Sequence, residues 1–201
     1  DIVRISSQSE NLESLGMVTA LDEAKFSISP FGFVEGFKIG DRVYASETGL
    51  KIQVGDGLLG RVVNPLMKPI DGKGELELDD TIAVIRPPVA AMKRGLIEEV
   101  FPVGVKSIDG LLTCGRGQKL GIFAGSGVGK STLMGMIVEG CKADVKVIAL
   151  IGERGREVPE FVEKNLGGDL TNTVLVVATS DDSALMRKYG AFAAMSVAEY
   201  F

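Results

Sequence analysis

Between Gly125 and Thr132 the chain brings together three glycines (125, 127 and 129), a lysine at 130 and two hydroxyls at Ser131 and Thr132. Glycines at this spacing let successive backbone N–H groups turn inward around a polyanion, because they accept positive φ and close approach. The run Gly125, Ser126, Gly127, Val128, Gly129, Lys130, Ser131, Thr132 is therefore expected to cradle the phosphates of a nucleoside triphosphate. Lys130 would reach the β- and γ-phosphates, and the Ser131 hydroxyl would hold Mg²⁺. The first glycine of the usual pattern is replaced by Ala124, so the match is to its relaxed form. A second polar group follows Ile151 and reads Gly152-Glu153-Arg154-Gly155-Arg156-Glu157. With no histidine in the chain, Ser-His-Asp and Cys-His schemes and His-ligated metal centres are excluded, so a general base here is a carboxylate. Glu153 is the candidate for orienting an attacking water, and an arginine of the same loop could stabilise charge developing on a transferred phosphoryl group.

Such residues work only if the right elements aim them. A phosphate loop needs a strand before it and, after it, a helix whose N-terminus adds partial positive charge. Residues 120–124 supply an apolar run, and the segment from about 129 to Gly140 is amphipathic, with Leu133, Met136 and Ile137 on one face. Val145–Ile151 reads as a second buried strand, and Glu157–Asn165 as a helix that stops at Gly167-Gly168. Thr173–Thr179 is a third strand, and Asp181 or Asp182 can cap a third helix whose Leu185, Tyr189 and Phe192 share a face. This βαβαβα order predicts a parallel sheet covered by helices. Ligands of such sheets sit outside the carboxyl ends of the strands, so the 152–157 loop must emerge at the same edge as the phosphate loop.

Upstream the texture differs. Ile2–Ile5, Gly16–Leu21, Lys25–Ser29, Arg42–Ser46 and Leu58–Val63 are short β-prone runs separated by turn signals such as Gly40-Asp41, Gly55-Asp56-Gly57 and Asp71-Gly72-Lys73-Gly74. They predict a small all-β barrel or sandwich without the residue types of an active site. Pro87-Pro88 removes two donors and stiffens the chain, which places a boundary between residues 1–86 and 87–201. Val89–Gly110 reads as an irregular approach with a short helix near Gly104–Leu111, and Lys93 and Arg94 as a solvated pair.

The composition narrows the partners. The chain has 201 residues and is 45% hydrophobic, enough for a sizeable core, yet uncharged stretches such as Leu170–Ser180 fall well short of the roughly 18 apolar residues of a membrane span. Its two cysteines, Cys114 and Cys141, are too few for a disulfide framework or a four-ligand zinc site, which favours a reducing, cytoplasmic setting. A net charge of −5 opposes non-specific attraction to nucleic acid, and the β-rich half has few clustered aromatics beyond Phe31, Phe33 and Phe37. Asp1 in place of a methionine suggests that the chain begins inside a longer protein.

The run from Val103 to Phe201 resembles the catalytic subunits of rotary ATPases, and among them the flagellar protein-export ATPases of type III export. The resemblance is carried by SIDGLLTCGRGQKLGIFAGSGVGKSTLMGMI, ALIGERGREVPEF and ATSDDSALMRKYGAFAAMSVAEYF, while GRVVNPLMKPIDGKG is similar to the family's N-terminal barrel. It implies a P-loop, RecA-like α/β ATPase core, truncated here and preceded by a β-barrel domain. It also implies a hexamer with sites between neighbouring subunits, working with export-apparatus and regulator proteins at the cytoplasmic face of the apparatus and peripheral to the membrane at most. The implied cofactors are ATP and Mg²⁺. Carried onto matching positions, the catalytic carboxylate is Glu153, the phosphate-facing arginine Arg154, and Thr132 a ligand of the α-phosphate. The family's Walker-B strand, arginine finger and adenine contacts fall beyond Phe201, so weak nucleotide binding and negligible turnover are expected of the segment. The ATPase of a virulence secretion system shares the same loops, a nucleic-acid-translocating hexamer pairs a β domain with a similar core, and a non-catalytic nucleotide-binding subunit would not need Glu153.

Overall fold

A computed structural model describes residues 1–7, 11–32, 35–45, 49–125 and 127–201. Ser126 of the phosphate loop, Phe33 and the predicted strand end at Ser46 lie outside the described residues. Four antiparallel strands open the chain: β1 (Ile2–Ser7), β2 (Leu12–Leu21), β3 (Phe26–Pro30) and β4 (Arg42–Ala45), in the spatial order β3-β2-β1-β4. Two strands absent from the sequence reading follow, β5 (Lys51–Val54) and β7 (Asp80–Ala83), paired antiparallel from Lys51↔Ala83 to Val54↔Asp80. The predicted strand Leu58–Val63 shrinks to β6 (Val62–Val63), because Asp56–Leu58 form a 3-10 turn.

The second half carries α1 (Lys106–Leu111), α2 (Lys130–Gly140), β8 (Lys146–Ile151), α3 (Glu157–Asn165), β9 (Thr173–Ala178) and α4 (Ala184–Tyr200). The strands β8 and β9 run parallel in unbroken register from Lys146↔Thr173 to Ile151↔Ala178. On the other side of β9 lies β6, also parallel, so residues 62–63 from the β-rich half complete a three-stranded sheet ordered β6-β9-β8. The strand predicted at 120–124 is not in that sheet. A strand is a property of a pair, and no described residue offers this run a ladder; Phe123 is 96% exposed.

All six residues of β9 are buried, and their alternation divides the interior into two layers. Val174 and Val176 face a core made with Val54, Leu58, Val63, Leu185, Tyr189 and Val197, which spans both halves of the chain. Leu175 and Val177 face the other way, with Ile148, Leu150 and Phe161, against Met134 and Val138 of α2 and Val158 and Val162 of α3. The apolar surface of α2 is therefore wider than the sequence suggested: Leu133 and Ile137 pack on Val103, Val105 and Cys114 instead, and Met136 is exposed. In α4, Leu185 and Tyr189 are buried as expected, while Phe192 is exposed. The cap of α4 is Ser183, whose hydroxyl accepts from the Met186 N–H at 3.1 Å; Asp182 instead accepts from the Thr179 N–H and hydroxyl.

The helix α4 also binds the two halves together. The Ser183 hydroxyl donates to the Phe31 carbonyl at 2.9 Å, the Tyr200 hydroxyl to Asp80 at 2.9 Å, and Arg86 pairs with Glu199. Phe31 is a core residue, edge-on to Tyr189, and so is not a surface for stacking bases. In the buried centre the Ser196 hydroxyl donates to the Val84 carbonyl at 3.0 Å. Ser196→Ala strands that carbonyl, and is expected to cost about 1 kcal/mol and lower the melting temperature by about 2–4 °C in a calorimetric scan; an unchanged melt would show the bond to be dispensable. Among the described residues no helix is long and apolar enough to cross a membrane.

Candidate phosphate-binding site

The loop before α2 has the conformation its glycines allow. Gly127 has φ +76° and Gly129, the residue preceding α2, φ +97°, both in the left-handed region that a side chain disfavours. A Cβ added at either would meet nothing within 4 Å, so backbone conformation rather than crowding demands glycine there. The Gly129 carbonyl accepts from the Leu133 N–H at 2.9 Å and closes the first turn, which sets Lys130, Ser131 and Thr132 at the amino end of the helix. Among the described residues Lys130 has no carboxylate partner.

The loop after β8 is held at the sheet edge by two backbone bonds. The Gly152 N–H donates to the Ala178 carbonyl at 2.6 Å, and the Ser180 N–H to the Glu153 carbonyl at 2.9 Å, which extends the β8–β9 pairing beyond both strands. Glu153 is thereby fixed beside the carboxyl end of β9, where an open parallel sheet presents its ligand site.

A cleft of about 530 Å³ joins the two regions, and Lys130, Ser131, Thr132 and Glu153 all line it. Gly125, Gly127, Val128, Gly129 and Arg154 do not. Arg154 is 68% exposed and reaches Glu157 at 3.7 Å, while Arg156, two residues on, is the arginine that lines the cleft. Beyond Arg156 and Glu157 of the polar loop, sequence reasoning missed the rest of the α3 wall, Glu160, Phe161, Lys164 and Asn165, together with Met134 and Leu150. The signal was present in the spacing, since 157, 160 and 164 fall three and four apart on one helical face, beside the apolar Val158 and Val162. The Lys164 ammonium donates to Glu160 at 2.7 Å and holds that carboxyl below its usual range. The cleft thus carries Lys130, Arg156 and Lys164 beside Glu153, Glu157 and Glu160, with Lys164 paired to Glu160 and Lys130 left without a carboxylate partner among the described residues.

Residues 104–201 match the model described as ATP synthase alpha/beta family, nucleotide-binding domain. The carboxyl-terminal half of the chain is thus similar to the nucleotide-binding domain of the ATP synthase alpha/beta family. The chain is 65% identical over 201 residues to the flagellum-specific ATP synthase of Helicobacter pylori strain J99, covering 100% of this chain and 46% of that protein. It is 47% identical over 175 residues to a type 3 secretion system ATPase of Xanthomonas euvesicatoria, covering 87% of this chain and 40% of the relative. Among solved structures it is similar to the assembled ATPase EscN in complex with its central stalk EscO, from the enteropathogenic E. coli type III secretion system, with a TM-score of 0.88 and 44% identity over 99% of this chain and 49% of that one. The chain therefore spans about half the length of the curated relatives it matches.

Proposed function

We propose that this chain carries the phosphate-binding part of an ATPase that energises protein export through a type III apparatus, of the flagellar kind. The observation that carries the reading is the convergence of Lys130, Ser131, Thr132 and Glu153 on one cleft beside the carboxyl ends of β8 and β9. The greater identity to a flagellum-specific relative than to a virulence-system ATPase favours the flagellar assignment.

In this reading the loop N–H groups between Gly125 and Gly129, Ser126 included, take the β- and γ-phosphates, Val128 contributing only its backbone, and Lys130 neutralises them. Thr132 supports the α-phosphate. Glu153 orients the attacking water, and Arg154, exposed and within 3.7 Å of Glu157, and Arg156 are the two candidates for the charge on the transferred group. Among the described residues no group of three or more His, Cys, Asp or Glu could cage a metal. The donor set fits an ion held mainly by phosphate and water oxygens, with the Ser131 hydroxyl as the protein's ligand, as Mg²⁺ prefers. When bound with the nucleotide, such an ion would neutralise charge on the β- and γ-phosphates.

The wider reading is a homo-hexamer with sites between subunits, in contact with stalk and export-apparatus proteins at the cytoplasmic face of the membrane. It is supported by the likeness to EscN, which is described as assembled and as bound to a central stalk. The antiparallel strands of residues 1–86 would form a barrel-like domain ahead of the ATPase core. Titration with a fluorescent ATP analogue tests the site. Lys130→Ala is expected to weaken binding about 10- to 50-fold while the melting temperature stays put, since the Lys130 side chain has no carboxylate partner among the described residues. Equal affinity of the two proteins would remove the phosphate loop from the function.

A further inference from the structure

We propose that Asn165, at the far end of α3, is a positioning residue for Ser131, an inference that rests on the ATP-site reading. Ser131 and Gly135 stand one turn apart on the same face of α2, and Asn165 meets both. Its side-chain amide donates to the Ser131 carbonyl at 3.3 Å. Its backbone fills the place where any other residue at 135 would carry a side chain: a Cβ on Gly135 would lie 2.8 Å from the Asn165 carbonyl oxygen and 2.9 Å from the Asn165 Cβ. Gly135 is also the one residue of α2 that is buried.

These contacts explain each other. The helical ladder gives the Ser131 carbonyl one donor, the Gly135 N–H, and leaves a second lone pair. A side chain at 135 would cover that lone pair, whereas glycine opens it to the amide of Asn165. The carbonyl of Ser131 is thus gripped from along its own helix and from across the cleft, and the residue that offers its hydroxyl to a nucleotide-bound metal has its backbone fixed. Both partners of this contact line the cleft, whose lining follows α3 from Glu157 to Asn165. The spacing between the phosphate helix and the segment that carries Glu153 is therefore set where α3 ends, one helix length from the reacting group.

The test uses this chain and a fluorescent ATP analogue, titrated once in Mg²⁺ and once in EDTA. Asn165→Leu keeps the size of the side chain and removes the donor; Asn165→Ala serves if the leucine variant does not fold. In Mg²⁺ the affinity is expected to fall about fivefold, and in EDTA to stay within about twofold, because only the metal-bound nucleotide uses the Ser131 hydroxyl. Ser131→Ala is expected to show the same metal-specific loss, and the double variant no more than either single one. Equal losses in both media, additive losses in the double variant, or full affinity of Asn165→Leu in Mg²⁺ would each overturn the proposal while leaving the ATP site intact. If the unaltered chain bound no nucleotide and Lys130→Ala changed nothing, the ATP reading would fall and this inference with it.

Discussion

Grafted in place of the matching residues of the Helicobacter pylori flagellum-specific relative, this chain is expected to lose about a hundred- to a thousandfold in ATP turnover on Glu153→Gln, with ATP affinity within about twofold. Glutamine keeps the size of the side chain and one acceptor oxygen but gives up the charge that draws a proton from water. The backbone of residue 153 is tied to Ser180, and the side chain lines the same cleft as Lys130, so the substitution changes chemistry without moving the loop. A carboxylate used only in the transition state affects turnover and spares the bound ground state. Steady-state hydrolysis alongside nucleotide titration separates the two. Turnover that survived Glu153→Gln would make the site a structural nucleotide holder, and the enzymatic reading would be lost.

The second large effect is expected far from the cleft, at Asp71. Its carboxylate accepts from the Arg61 guanidinium at 2.8 and 3.0 Å, from the Val62 N–H at 3.0 Å and from the Lys73 N–H at 3.0 Å. The Arg61 side chain also donates to the Gly74 carbonyl at 2.6 Å, and the two charged side chains are only 13% and 6% exposed. This network holds the turn that follows β6, the strand by which the β-rich half enters the parallel sheet. Asp71→Asn leaves the guanidinium without its counter-charge, and is expected to cost about 3 kcal/mol and lower the melting temperature by about 6–12 °C. The hydrogen bond from Arg61 holds the Asp71 carboxyl well below its ordinary value of 3.8. A carboxyl whose pKa is depressed in the fold stabilises it above the unfolded value, so this contribution is complete above about pH 4 and is lost as the pH falls further. Chemical denaturation at a series of pH values should therefore show a shallower acid decline for Asp71→Asn than for the unaltered chain. Parallel acid limbs would mean that Asp71 titrates alike folded and unfolded.

Much of the second half was legible because its signals are local. The runs VKVIALI and TVLVVAT are apolar throughout, and β8 and β9 occupy them within a residue at each end. The helix Glu157–Asn165 has the bounds its amphipathic spacing and glycine stop required. What escaped depends on partners that sequence does not name. The run 120–124 has the composition of a strand, yet pairing decides whether it is one. Strands β5 and β7 are short and each holds a polar or charged residue at its first position, Lys51 and Asp80, so neither stands out until it is set beside the other. Arg154 and Arg156 differ by two positions in a loop, where spacing does not fix direction, and the nearer one to Glu153 in sequence is the one turned away from the cleft. Asn165 carried no motif at all; only the bare backbone of Gly135 opposite gives it a role.

Ser183 joins two places that are remote in the chain. Its hydroxyl caps α4 directly after the 179–182 turn that abuts Glu153, and the same oxygen donates to Phe31, 152 residues earlier. One atom is thus a rivet between the sheet edge and the amino-terminal strands. A displacement of that turn must therefore either break this bond or pull on the strand end at Phe31, which ties the rim beside Glu153 to the four-stranded sheet.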